Sequence, residues 1–265
     1  MTSKVASYFT LPKLSYRVWR VWRRNFDVFM KTYKANFVPP LLEPIFYLVG
    51  MGFGLGGFVQ PQEGLNYIAF LAPAIVATSM MFSSFFECTY SSFVRMYYQK
   101  TFDAIIATPL SLEEVIAGEL LWGATKSLIN STIVLGVILA FGLVSSPFFL
   151  LIPLVAFLAG LCFSAIAMCF TALVPNIDAF NYPSFLFITP MFILSGTFFS
   201  IASLPVGAQI VAKTFFPLTH AVALSRALAV GRFSTTLLLD VSWFLIVTPI
   251  FFVLSINLMK KRLIK

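Results

Sequence analysis

The sequence predicts an all-α integral membrane protein: six transmembrane helices in one permease-like domain, residues 1–265. An amphipathic interfacial helix, a short cytoplasmic coupling helix and external re-entrant half-helices complete the expected fold. Three observations carry this. Of 265 residues, 59% are hydrophobic and 11% charged, whereas a soluble domain carries about 25% charged residues, so polar surface is too scarce to cover a globule in water. Mean hydropathy is +0.92. Apolar stretches near the ~20 residues that cross a bilayer recur along the chain.

The net charge of +8, from 18 Lys and Arg against 10 Asp and Glu, would suggest nucleic acid in a soluble chain. Here eight cations lie in the first 36 residues and four in the last six. Cations that flank spans on one side mark the cytoplasmic face, so the charge speaks for topology and anionic lipid. Cys88, Cys162 and Cys169 fall inside apolar segments without CxxC spacing and are expected to be small core residues.

Residues 1–13 show no periodicity and are expected to be loosely structured. Residues 14–36 form the interfacial helix. Trp19, Trp22, Phe26, Phe29 and Tyr33 repeat at helical spacing. Arg17, Arg20, Arg24, Asp27, Lys31 and Lys34 repeat two residues out of step, which places rings and charges on opposite faces. The aromatic face is expected to meet lipid.

The spans follow at about 37–59, 65–90, 115–141, 148–174, 182–200 and 237–258. With the N-terminus inside, the inside segments hold 15 cations and the outside segments three, so both termini are expected in the cytoplasm. Gly52-Phe-Gly54-Leu-Gly56-Gly57 matches GxGxxG but lies late in a span, not after a strand, which excludes a dinucleotide site. Gly50/Gly54 and Gly52/Gly56 are spaced for close helix packing, either between copies or along a pore.

Between spans 2 and 3, the segment 97–114 holds a short helix whose apolar stripe is Phe102, Ile105 and Ile106, alongside Thr101 and Asp103. Thr108-Pro109 ends it. Ser111-Leu-Glu-Glu114 then has the form of a capping box that opens span 3. A short amphipathic helix between turns suits a groove on a soluble partner. On the other side, residues 201–235 are too short and polar for two spans. They read as half-helices broken at Pro217, with His220 and Arg226 placed to meet head groups or sugars.

Catalysis finds little support: one His, no HExxH and no Cys/His cluster exclude a zinc site. No GxxxxGK[ST] occurs, so no P-loop is present. Glu43, Glu87 and Glu119 each cost free energy in a membrane unless paired or hydrated. All three lie toward the cytoplasmic side at similar depth, near Arg95 and Lys126. A structural ion-pair layer at a cytoplasmic gate is the favoured reading. A proton or cation relay is the alternative, and would make the protein an ion-coupled carrier or channel.

Several runs carry a family likeness: Glu43-Pro-Ile-Phe-Tyr47, Gly50-Met-Gly-Phe-Gly-Leu-Gly56, Tyr67-Ile-Ala-Phe-Leu71, Thr101-Phe-Asp103, Gly118-Glu-Leu120 and Pro217-Leu-Thr-His220. Together they resemble the membrane subunits of type-2 ATP-binding-cassette exporters, within them the nodulation-factor exporter and polysaccharide-export-like group, over residues 15–262. The resemblance implies a bacterial inner-membrane permease that pairs with a second permease copy and binds two copies of a separate ATPase. ATP and Mg would belong to that partner, and this chain would hold no cofactor. It also implies coupling through the helix at 101–107, a path near spans 1 and 5, and amphipathic cargo such as a glycan, glycolipid or other lipid-like molecule.

Overall fold

The computed structural model describes residues 10–54 and 56–264. The expectation of a loose N-terminus therefore falls in part on residues 1–9, which lie outside the described residues. Among those described there is no strand. Four helices are long and apolar enough to cross a membrane: Tyr67–Tyr98 (α3), Leu112–Ala140 (α5), Pro147–Leu173 (α6) and Thr236–Leu263 (α10). They pack around α6, which meets α5 most extensively and is flanked by α10 and α3.

The other two expected spans are shorter. Tyr33–Tyr47 (α2) contains Pro39, Pro40 and Pro44 and runs into a π turn at Leu48–Phe53. Each internal proline removes a backbone donor. Residues 178–194 are helical in pieces, ending in a π turn at Ser184–Ile188 and a six-residue helix, Thr189–Leu194 (α7). Gly196, with φ +77°, follows in a conformation that favours glycine.

Val18–Lys31 (α1) differs from expectation. Val18, Val21, Asn25 and Phe29 are buried, and the helix packs along α5. A Cβ at Gly118 would lie 2.6 Å from Val21 Cβ, so the missing side chain is what lets the two helices touch. Trp22 stacks between Trp19 and Phe26 at 4.1 and 5.3 Å. Its indole nitrogen donates to Thr125 Oγ1 at 2.8 Å. The rings thus turn largely toward protein, and of these three only Trp19 is well exposed, at 57%. Packing against protein wins because Gly118 provides a slot on α5 that helical spacing alone does not reveal.

Thr101–Ile106 (α4) begins after a left-handed turn at Lys100, φ 53°. The Ser111 hydroxyl accepts from the Glu114 amide and the Glu114 carboxylate accepts from the Ser111 amide, completing the capping box of α5. Val206–Phe215 (α8) and Pro217–Val230 (α9) are separated by extended backbone at Phe216. Pro217 opens α9 where a missing N–H costs nothing, and Gly231 closes it at φ 79°. The three cysteines are free and buried.

One end of the bundle gathers both chain ends. Thr10 Oγ1 donates to Asn257 Oδ1 at 2.5 Å. Glu113 pairs with Lys260, Ser15 donates to Glu114, and Arg17 donates to the Pro109 carbonyl. The α4 segment sits at this same end.

Candidate functional site

Four of the five expected ion-pair residues form one buried network. Arg95 Nη1 donates to Glu87 Oε1 at 2.7 Å, and its Nη2 to Glu119 Oε2 at 2.5 Å. Lys126 Nζ donates to Glu87 Oε2 at 2.6 Å. Glu87 is 3% exposed and Glu119 0%. Carboxylates this deep are costly unless paired and hydrogen-bonded, and here two cations balance two anions.

Three residues that spacing did not single out complete the network. Trp122 Nε1 donates to Glu87 Oε1 at 3.0 Å. Asn25 Nδ2 donates to Glu119 Oε1 and Ser92 Oγ to Glu119 Oε2, both at 2.8 Å. The first had a signal: Glu119, Trp122 and Lys126 share one face of α5 at helical spacing. Asn25 and Ser92 carried none. Arg24 lies at the edge of the network on α1; burial lowers its pKa, with Glu119 opposing and Arg95 reinforcing the shift.

The helix under this network is not uniformly α. Residues Glu87–Ser91 and Val94–Tyr98 form two π turns. Such turns rotate the side chains beyond them and are frequent at functional positions. They bring Glu87, Ser92 and Arg95 onto the surface that faces α5.

Glu43, expected in the same layer, stands apart. It forms no ion pair among the described residues, because Arg95, Trp122 and Lys126 already occupy both oxygens of Glu87 and the ammonium of Lys126. Glu43 instead lines a cleft of about 460 Å³ with Pro40, Tyr47, Ser83, Phe86 and Asn130. Glu87, Ser91 and Lys126 border it and also line an adjoining cavity of about 380 Å³ that reaches Arg24, Arg95 and Trp122. At its other end the cleft narrows to about 10 Å³ beside Phe192 and Thr197.

The four glycines of the first span do not act alike. Gly50 and Gly54 have nothing within 4 Å of a Cβ built on them, whereas one at Gly52 would meet Ile68 of α3 at 2.9 Å. The Gly56 amide donates back to the Gly52 carbonyl at 3.0 Å. Within this chain only Gly52 marks a helix–helix contact.

The apolar stripe of α4 is divided. Phe102 is fully buried, Ile105 is partly buried against the core, and Ile106 is 39% exposed. Thr101 is half-buried and Asp103 exposed. The helix is thereby anchored to the bundle while presenting one isoleucine outward, next to exposed Tyr97 and Tyr98.

At the opposite end, His220 is not free to meet a head group. Its Nδ1 is 2.6 Å from Asp240 Oδ1, its Nε2 is 3.0 Å from the Lys213 carbonyl, and Trp243 stacks on the ring. It ties α8 and α9 to α10. Pro217 is buried at the start of α9. Arg226 Nη2 donates to the Gly196 carbonyl at 2.8 Å, and its guanidinium lies 3.7 Å from the Phe70 ring centroid. It borders a cavity of about 250 Å³ with Glu63, Thr219 and Arg232.

Residues 16–230 match the family model described as ABC-2 type transporter. Nodulation protein J of Sinorhizobium fredii (strain NBRC 101917 / NGR234) is 38% identical over 245 residues, 92% of this chain and 93% of the relative. Nodulation protein J of Rhizobium leguminosarum bv. viciae is 36% identical over 97% of this chain and 98% of its own. More distantly, the inner membrane transport permease YadH of Escherichia coli (strain K12) is 22% identical over 70% of this chain and 72% of its own. No solved structure matches the chain.

Proposed function

The chain belongs to the ABC-2 type transporter family and is the multi-pass membrane subunit of an exporter of that class, and from this premise we propose that it moves an amphipathic glycan, glycolipid or lipid-like molecule out across the bacterial inner membrane. Two permease copies and two copies of a separate ATPase would make the working assembly. In this reading residues 33–53 and 178–194 are spans 1 and 5 of six. Both termini face the cytoplasm, as the excess of cations at one end argues.

The observation that carries the reading is α4. Phe102 holds it in the core while Ile106 stays exposed, which suits a helix that receives force from a docked partner and hands it to α3 and α5. The buried network on those two helices stands next in line. α1, hydrogen-bonded to Glu119 through Asn25, would move with it.

The ion-coupled alternative is weaker. Two of the three carboxylates it needs are held by Arg95 and Lys126, so a proton relay would have to break buried ion pairs at each step. Purification in mild detergent, with the complex weighed, tests the exporter reading. A soluble Walker-motif protein at equal stoichiometry in a two-plus-two assembly is the expected result. A lone permease in several detergents with nucleotide present would overturn it.

A further inference from the structure

The cleft that holds Glu43 carries chemistry that force transmission does not use. Glu43 is an exposed carboxylate on a helix whose outer face is apolar, with Phe46 69% exposed. It has no ion pair among the described residues, and a membrane carboxylate without a partner is a functional feature by default. Two further polar atoms border the same space without a hydrogen-bond partner. They are Asn130 Oδ1 and Thr197 Oγ1, the second on a residue only 1% exposed. Buried polar atoms are almost always satisfied, so an orphaned pair beside a free carboxylate points to a ligand.

The lining says which kind. Glu43 and Asn130 Oδ1 accept protons, the hydroxyls of Tyr47, Ser79 and Thr197 donate and accept, and Phe82 and Phe86 offer apolar faces. A cationic head group would face Lys126 at the same wall. A neutral sugar meets every requirement, with several hydroxyls for the polar atoms and an apolar ring face for the phenylalanines. At about 460 Å³ the cleft lies in the range of small-molecule sites, about 300–1,000 Å³. Its narrow end has room for one hydroxyl beside Thr197.

We propose that this cleft, enclosed within a single protomer, binds the neutral sugar head group of the exported amphiphile, with Glu43 and Asn130 accepting its hydroxyl protons and the alkyl chain left in lipid outside α2. The proposal rests on the exporter reading for its amphipathic cargo, and on the cleft alone for the sugar.

The test uses the full-length protein in nanodiscs. Binding of radiolabelled dodecyl maltoside, below micelle formation, is compared with that of dodecanol and dodecyl trimethylammonium. The maltoside should bind best. Glu43→Gln should weaken it by about tenfold, the scale of a lost hydrogen bond to a charged group, with dodecanol unaffected. Thr197→Val, which keeps side-chain shape, should weaken it by a few-fold. Unchanged maltoside affinity in both variants, or preference for the ammonium probe, overturns the proposal. So does loss of the second permease copy from Glu43→Gln, which would make Glu43 a contact between copies. ATPase co-purification is measured in parallel. Its absence with Glu43-dependent maltoside binding removes the exporter reading and leaves the site, while its presence with Glu43-independent binding does the reverse.

Discussion

Arg95 and Glu119, 2.5 Å apart, join helices that are consecutive spans of the chain, and the same glutamate accepts a hydrogen bond from Asn25 on α1. One carboxylate thus links three helices at a level where water is scarce. Replacing Arg95 with Met would leave Glu119 without a cation. Breaking a buried pair from one side costs about 3–5 kcal/mol, so Arg95→Met should lower the melting temperature in detergent markedly. Adding Glu119→Gln should recover part of the loss, because Lys126 still neutralises Glu87. An unchanged melting temperature in the single variant would show that the network does not hold the helices.

Gly118 and Val21 leave no room for a side chain between α1 and α5. Gly118→Leu should detach α1 while α5 stays in the bundle. Faster proteolytic cleavage within residues 14–36 would report the detachment. Val21→Ala in the same chain should restore part of the protection, and equal cleavage of wild type and Gly118→Leu would refute the close contact.

Two aspartate substitutions on α4 should separate folding from coupling. Ile106→Asp changes an exposed position and should leave yield and melting unchanged while ATP-dependent export falls at least tenfold. Phe102→Asp buries a charge in the core and should abolish folded protein, seen as loss of a monodisperse peak. Full export by Ile106→Asp would remove the docking role from α4.

Ser111→Ala should cost about 1 kcal/mol, the usual worth of an N-cap. Its effect belongs at the α4–α5 junction, where hydrogen exchange of the Glu114 amide should quicken. Unaltered exchange there would mean that the cap adds nothing to the stability of the turn.

Much of this architecture was legible because its signals are local. The capping box at Ser111 and Glu114, the break before Pro217 and the short helix at 101–106 all follow from residues within one or two turns of each other. Glu87, Glu119, Arg95 and Lys126 were legible for a different reason: charges in apolar segments must meet, and few were available. What stayed hidden depends on rotation. Whether Asn25 or Ser92 reaches Glu119, and whether Glu43 does not, is set by π turns and by the seat of α1 at Gly118, which are tertiary outcomes. The rings of α1 were assigned to lipid because their spacing fits a membrane surface and a protein groove equally well. The length of α2 was overestimated because three prolines within it leave the hydropathy high.

A π turn is an α-helix that holds one residue too many, and α3 holds two such turns in the stretch that carries Glu87 and Arg95. Deleting a single residue there would relax a turn to α geometry and swing everything beyond it by about 100°. The segment should therefore accept many substitutions yet refuse changes in chain length, and in descendants of this chain an insertion or deletion at 87–98 would survive only beside a compensating one nearby.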